Sequence, residues 1–320
     1  MSDPRFEVTT FGEMLLRLSV PTGKRLEKAT RLDIYPAGAE ANVASLLARL
    51  DRQTCWMGAL PKNPLGRMAA NALRESGVNL DGVLWQEDGR MGTYYVEFGA
   101  PPRGIQVTYD RLNSCITQLK PDDIDWDILF DTRLLHLTGI TPALSSSCCA
   151  IINEALRRAK QRGVPVSFDV NYRQKLWTET EAQRILLPFL QQSEIVFCSE
   201  RDARRVFQCA GSTQEIAQGM LERSQAHIIV ITFGEQGAML WDGMKWHHEA
   251  SVPTQIVDRL GAGDALAAGV IYGWLNGDPL AGLRYGVTLA ALALSQLGDT
   301  VITNEAEMLS LSRGSKDLTR

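Results

Sequence analysis

The stretch DRLGAGDALAAGVIYGWL, residues 258–275, sets two glycines one residue apart, then an aspartate, then a run of small and apolar helix formers. Ile256 and Val257 ahead of it read as the end of a β-strand, and ALAAGVIYGWL behind it as a helix. Gly261, Ala262 and Gly263 are therefore expected to form a strand-to-helix turn, the joint from which α/β folds are built. Glycine permits positive φ and lets another group approach the backbone closely. The free N–H groups and the dipole of a helix first turn favour an anion there. Asp264 complicates this, because a carboxylate repels a bound phosphate. It reads either as a first-turn aspartate that suits the helix start, or as a base. As a base it would take the proton from an attacking hydroxyl while the amides stabilise a transferring phosphoryl group.

The same joint recurs upstream. Apolar runs at 6–12, 54–60, 133–139, 164–170, 194–199 and 227–233 alternate with helical patterns at 40–50, 65–76, 145–162, 179–191 and 213–223. Several runs are almost continuously apolar, as strands buried on both faces of a parallel sheet are. The rhythm predicts an α/β fold, a doubly wound, mostly parallel sheet flanked by helices. Two stretches break it. Residues 82–112 read as successive strands with turns at Asp88-Gly89 and Pro101-Pro102, and residues 13–36 look similar. Together they are expected to form one small antiparallel sheet projecting from the main body; two unrelated hairpins are the alternative. Nothing else divides the chain, so residues 1–320 read as one domain, with the polar tail 312–320 frayed.

Composition narrows the function. A chain of 320 residues with 45% hydrophobic and 22% charged content is ordinary for a globular protein. A net charge of -4 argues against a general nucleic-acid surface. The charged N-terminus gives no signal peptide, and no window reaches the ~18 apolar residues of a membrane span. The six cysteines show no CxxC spacing and include the adjacent pair Cys148-Cys149, so reduced thiols and a cytoplasmic setting are expected. The histidines make no HExxH, and the pair in WHHE (246–249) reads as surface decoration, so no metal cage is expected. A dinucleotide fingerprint would need glycine where Leu266 stands, which disfavours a dehydrogenase. In a phosphate-binding GK[ST] loop, Arg25 after Gly23-Lys24 would have to be Ser or Thr.

Two distant motifs bear on Asp264. Asp258-Arg-Leu-Gly-Ala-Gly-Asp264 resembles the C-terminal DTxGAGD signature of the ribokinase-like (PfkB) carbohydrate kinases. Ala37-Gly-Ala-Glu-Ala-Asn42 resembles their N-terminal GGAxxN signature and is followed by a helix and WMGALPKNPLGRMAANALRESGV (56–78). The likeness spans roughly residues 6–310. It implies Asp264 as catalytic base, Gly261, Ala262 and Gly263 as the anion hole, and ATP with Mg2+ as donor. It also implies a lid over the sugar, formed by about 13–36 and 90–112, through which copies of the chain form a homo-oligomer. Two positions depart from the pattern. Arg259 stands where the signature has Thr or Pro, and Ser199-Glu-Arg-Asp202 replaces an NxxE motif. No protein metal ligand is therefore assigned, and Mg2+ is expected on phosphates and water.

A sugar acid would need a cationic partner, and arginine offers a bidentate fork. Arg111 lies on the presumed lid. Arg173 follows a strand's carboxyl end, where open α/β sheets place ligands. Surface or salt-bridged arginines are the alternative. The wording GTYYVEFGAPPRGIQVTYDRLNS, HLTGITPALS and FDVNYRQKLW is similar to the 2-keto-3-deoxygluconate kinases within that family. That resemblance implies a site lined by Gly38, Ala39, Asn42, Tyr94, Tyr109, Arg111, Ile140, Arg173 and Asp299, with Asn171 and Arg173 also facing ATP phosphates. TFGEQG (232–237) resembles the nucleotide loop, bringing Thr232, Gly234 and Gly237 to ATP with Ser199 bordering the cleft, a plain glycine hairpin being the alternative; the apolar helix 289–297 reads equally as a wall for the adenine or as packing alone. The implied activity is ATP-dependent phosphorylation of the terminal hydroxyl of 2-keto-3-deoxygluconate. The alternatives are a family kinase of fructose, another neutral sugar or a different sugar acid such as the galactose-derived epimer, and a non-catalytic sugar-binding protein.

Overall fold

A computed structural model of the chain describes residues 3–99 and 102–314. Pro101 of the expected turn and tail residues 315–320 lie outside the described residues. The strands are β1 (Phe6–Phe11), β2 (Leu15–Ser19), β3 (Asp33–Ala37), β4 (Thr54–Pro61), β5 (Val83–Gln86), β6 (Gly92–Glu97), β7 (Gln106–Asp110), β8 (Thr132–Thr138), β9 (Val166–Asp169), β10 (Ile195–Ser199), β11 (Ile228–Thr232), β12 (Ala238–Trp241) and β13 (Trp246–Glu249).

Nine of them form the main sheet, in the order β13-β12-β11-β10-β9-β8-β1-β4-β5. Every pair from β11 to β5 is parallel, and β12 and β13 close one edge antiparallel. The near-continuous apolar runs follow from this, because strand alternation sends neighbours to opposite faces and both faces are covered. Val196 and Cys198 face one core layer, and Ile195 and Phe197 face the other. Strand order reverses at β1, which lies between β8 and β4, so the crevice at a doubly wound switch point opens after Phe11 and Thr138.

Helix Ala262–Leu275 packs on helix Pro279–Leu294 so closely that a Cβ on Gly269 would stand 2.4 Å from the Gly286 nitrogen. This contact fixes where the first turn of Ala262–Leu275 points.

Several expectations are corrected. Ile256 and Val257 belong to neither sheet; they are exposed, in a segment held by Val257 N–H donating to the Leu294 carbonyl at 2.7 Å. The turn at Gly261 is thus a loop-to-helix joint, because the sheet already ends at β13. Val83–Gln86 joins the main sheet beside β4 instead of the small one. The small sheet is β3-β2-β6-β7, and it is mixed, because its central pair β2–β6 is parallel. The apolar helix placed at 289–297 is the second half of Pro279–Leu294, a helix started by Asp278 as N-cap and Pro279. WHHE is the edge strand β13, with His247 Nε2 2.6 Å from Asp242 Oδ2 and His248 Nε2 2.8 Å from the Gln236 carbonyl. All six cysteines are free, and no helix among the described residues is long and apolar enough to cross a membrane.

Candidate active site

Gly261 caps helix Ala262–Leu275 with φ of 82°, and a Cβ there would lie 2.1 Å from the Asp299 carbonyl oxygen. Both facts require glycine. The N–H groups of the first turn that follows have no carbonyl to bond within the helix. A Cβ on Gly263 would meet nothing within 4 Å, so space is open in front of those donors.

On one side of this turn is a narrow cavity at the switch point. All nine residues expected around a sugar acid line it: Gly38, Ala39, Asn42, Tyr94, Tyr109, Arg111, Ile140, Arg173 and Asp299. Gly261 and Asp264 also line it, as do Glu13 and Glu40. Asn42 Nδ2 donates to Asp264 Oδ2 at 2.7 Å. Four carboxylates share the cavity, which needs explaining if an anion is to enter. Glu13 Oε2 accepts from Arg111 Nε at 2.8 Å, and the Ser114 hydroxyl donates to Glu13 as well. Asp299 Oδ1 accepts from Arg17 Nη1 at 2.7 Å, and the Tyr94 hydroxyl donates to its other oxygen. Glu40 accepts from the hydroxyls of Thr138 at 2.8 Å and Thr141 at 2.7 Å, while burial pushes its carboxyl toward the neutral form. Arg173 makes a single long hydrogen bond, 3.4 Å to the Tyr172 carbonyl, and no carboxylate ion pair among the described residues. Arg111 was expected as the second fork for a carboxylate. It is instead already paired with Glu13, which leaves Arg173 as the uncommitted cation.

Burial raises the Asp264 carboxyl to about 7, against the Asn42 hydrogen bond and the Arg173 charge that favour its ionised form. Asp169, at the end of β9, is pushed up to about 8 by burial and then by the charges of Asp264 and Asp202. If Asp264 accepts a proton, activity is lost as pH falls. The acid limb of kcat/KM is expected near pH 7, shared between the coupled pair, with about tenfold loss per unit below it. A pH–rate profile from 5 to 9 checks this; a flat profile down to pH 5 overturns it.

On the other side of the turn is a second cleft of ≈ 660 Å³. Thr232, Gly234, Gly237, Ala262 and Gly263 line it, with Leu266, Val287, Ala290, Ala291 and Leu294 as its apolar wall. Exposed Ile256 and the departure Arg259 also border it. Two expected cofactor residues line neither cavity. Ser199 spends its hydroxyl capping helix Glu200–Arg205, accepting from Asp202 N–H at 3.0 Å. Asn171 stands at φ 39° with its N–H donating to Asp169 Oδ1 at 3.2 Å.

Glu13, Glu40 and Asp169 were not assigned from sequence. Glu40 sits inside the quoted AGAEAN motif and Asp169 inside FDVNYR, so a signal was present; Glu13 had none beyond following a strand. No group of three or more His, Cys, Asp or Glu among the described residues is arranged to hold a metal ion. Asp169 and Asp202 are both shifted toward protonation, chiefly by burial.

The pfkB family carbohydrate kinase profile matches residues 5–306. A 2-dehydro-3-deoxygalactonokinase of Haloferax volcanii is 35% identical over 309 residues, covering 96% of this chain and 97% of that protein. A 2-dehydro-3-deoxygluconokinase of Thermoproteus tenax is 27% identical over 302 residues, covering 93% and 91%. The crystal structure of 2-dehydro-3-deoxygluconokinase from Thermotoga maritima superposes with a TM-score of 0.92 at 34% identity, covering 98% of this chain and 100% of that one. The chain belongs to the pfkB family of carbohydrate kinases.

Proposed function

We propose that the protein transfers the γ-phosphoryl group of ATP to the terminal hydroxyl of a 2-keto-3-deoxy sugar acid, with 2-keto-3-deoxygluconate the first candidate. One observation carries this reading. A single helix start presents Gly261 and Asp264 to a cavity holding an uncommitted arginine, and Ala262 and Gly263 to a cleft with an apolar wall. Asp264 removes the hydroxyl proton as the oxygen–phosphorus bond forms, and the bond to the bridging oxygen of ADP breaks. The first-turn amides hold the charge that develops on the phosphoryl oxygens. Mg2+ arriving with ATP would supply charge neutralisation on the phosphates, and the buried carboxylates Asp169 and Asp202 would be the groups to hold its water shell.

The whole chain then acts as one kinase domain, with the small sheet as a lid over the sugar. Lys175, after β9, donates from Nζ to the Val107 carbonyl on β7 at 2.6 Å, a tie between main body and small sheet that suits closure. A homo-oligomer joined through the small sheet and a cytoplasmic setting with reduced thiols belong to the same reading.

The relatives' names differ at one stereocentre, so the test is a panel. ATP consumption is measured with 2-keto-3-deoxygluconate, its galactonate epimer, fructose, ribose and adenosine. Turnover dominated by a keto-deoxy acid supports the reading. Turnover dominated by a neutral substrate keeps the kinase and removes the sugar acid.

A further inference from the structure

Arg17, on β2, is a charged side chain with no exposure to solvent. Its Nη2 donates to Asp258 Oδ2 at 2.5 Å, its Nη1 to Asp299 Oδ1 at 2.7 Å and its Nε to Ser19 Oγ at 2.8 Å. The rings of Tyr35 and Phe98 each lie 5.2 Å from its guanidinium carbon. A dry cation is tolerated only where its charge and donors are matched this fully.

The two acids belong to the two loops that build the phosphoryl site. Asp258 opens the glycine turn, accepting from Leu260 N–H at 3.1 Å on Oδ1 and from Gly298 N–H at 3.2 Å on Oδ2. Asp299 supplies the carbonyl against which Gly261 packs. Tyr94, the cross-strand partner of Arg17, holds the second oxygen of Asp299 and lines the sugar cavity. Arg17 itself lines neither the sugar cavity nor the nucleotide cleft.

We propose that Arg17 is a positioning residue: one planar fork spans two carboxylates and so registers the small sheet, with the sugar it carries, against the amides of residues 261–264. The inference rests on reading the cavity as the sugar site and this turn as the anion hole. Lysine cannot replace it, because a point charge on a flexible stem does not fix two acids in one plane.

The test compares Arg17→Lys, Arg17→Met and Asp258→Asn with the unmodified enzyme. kcat is measured per folded molecule, together with KM for ATP and hydrogen exchange of residues 258–264 with and without sugar. The expected result is a kcat lowered by about 10–100-fold, as for a misplacement of about 1 Å. KM for ATP stays within about twofold, and sugar-induced protection of 258–264 is lost. Arg17→Lys should not rescue. Wild-type kcat per folded molecule in the Arg17 variants, or retained sugar-induced protection, overturns the proposal. Should the Arg17 variants fail to fold, Asp258→Asn keeps the shape of that side chain and removes its charge; wild-type kcat there overturns it equally. Failure of the functional reading is seen separately, as an unmodified enzyme that phosphorylates no sugar.

Discussion

Asp264→Asn lowers kcat by about 10²–10⁴-fold, the loss expected when a general base is removed. Asparagine keeps the shape of the side chain, and its carbonyl still accepts from Asn42 Nδ2, so the local geometry survives. The same substitution stabilises the fold at alkaline pH. In the unfolded chain the carboxyl titrates near the ordinary value of about 3.9, and in the folded protein burial raises it to about 7. A group raised in this way contributes its full share of stability below about pH 4. That share is lost as pH rises through about 7, because the buried carboxyl must ionise. Asparagine never ionises. At pH 8 the variant should therefore melt a few °C above the unmodified protein, and the gap should narrow at about pH 5 and close near pH 4. Falling activity with rising stability marks a group retained for function. Near-normal turnover would remove the base; a pH-independent gap in melting temperature would remove the raised carboxyl.

Arg173→Ala lowers kcat/KM for the keto-deoxy acid by about 10²-fold or more, the scale for truncating one partner of a desolvated charge pair. A neutral sugar tested alongside should lose less than about tenfold, since no carboxylate is left stranded in the cavity. The arrangement of the other charges sharpens this contrast. Arg111 already faces Glu13, and Arg17 already faces Asp299, so Arg173 supplies the cavity's unclaimed positive charge. Arg111→Ala should behave differently. It leaves Glu13 buried and unpaired, and its loss should appear as a lower melting temperature and equal damage to both substrates. Equal losses on acid and neutral substrates in Arg173→Ala would argue against carboxylate recognition.

The inner strands of the main sheet, β1, β4 and β8 to β11, were legible because burial on both faces writes them as nearly continuous apolar runs, whereas the half-buried edge strands β5 and β13 were not. β4, Thr54–Pro61, is buried along its whole length. The glycine turn was legible because two separate constraints, positive φ and the carbonyl of Asp299, allow only glycine at residue 261. What escaped was pairing over distance. Nothing in VLWQ tells whether its partner is β4 or β6, and the parallel pairing of β2 with β6 depends on where the intervening βαβ segment puts them. Apolar Ile256 and Val257 looked like a strand because propensity cannot distinguish a strand from an extended segment bordering a cleft. The arginines were legible as residue types but not as free or committed. Glu13 lies 98 residues from Arg111, and only the fold brings them together.

The course of the chain between its two sheets has a consequence for how the protein comes into being. β2 leaves the ribosome early, yet Arg17 meets Asp258 and Asp299 only when residues 241 and 282 positions downstream have been made. Until then its guanidinium must stay hydrated, so β2 cannot take its final seat during synthesis of the first three quarters of the chain. Closing loops of that length is slow compared with the local βα units of the main sheet. The junction of β2 with the 258–264 turn is thus expected to form after the local βα units of the main sheet. A nascent or C-terminally truncated chain would carry a nearly complete main sheet beside an unseated small one, with the apolar face formed by Leu15, Ala37, Tyr94 and Val96 open to other proteins.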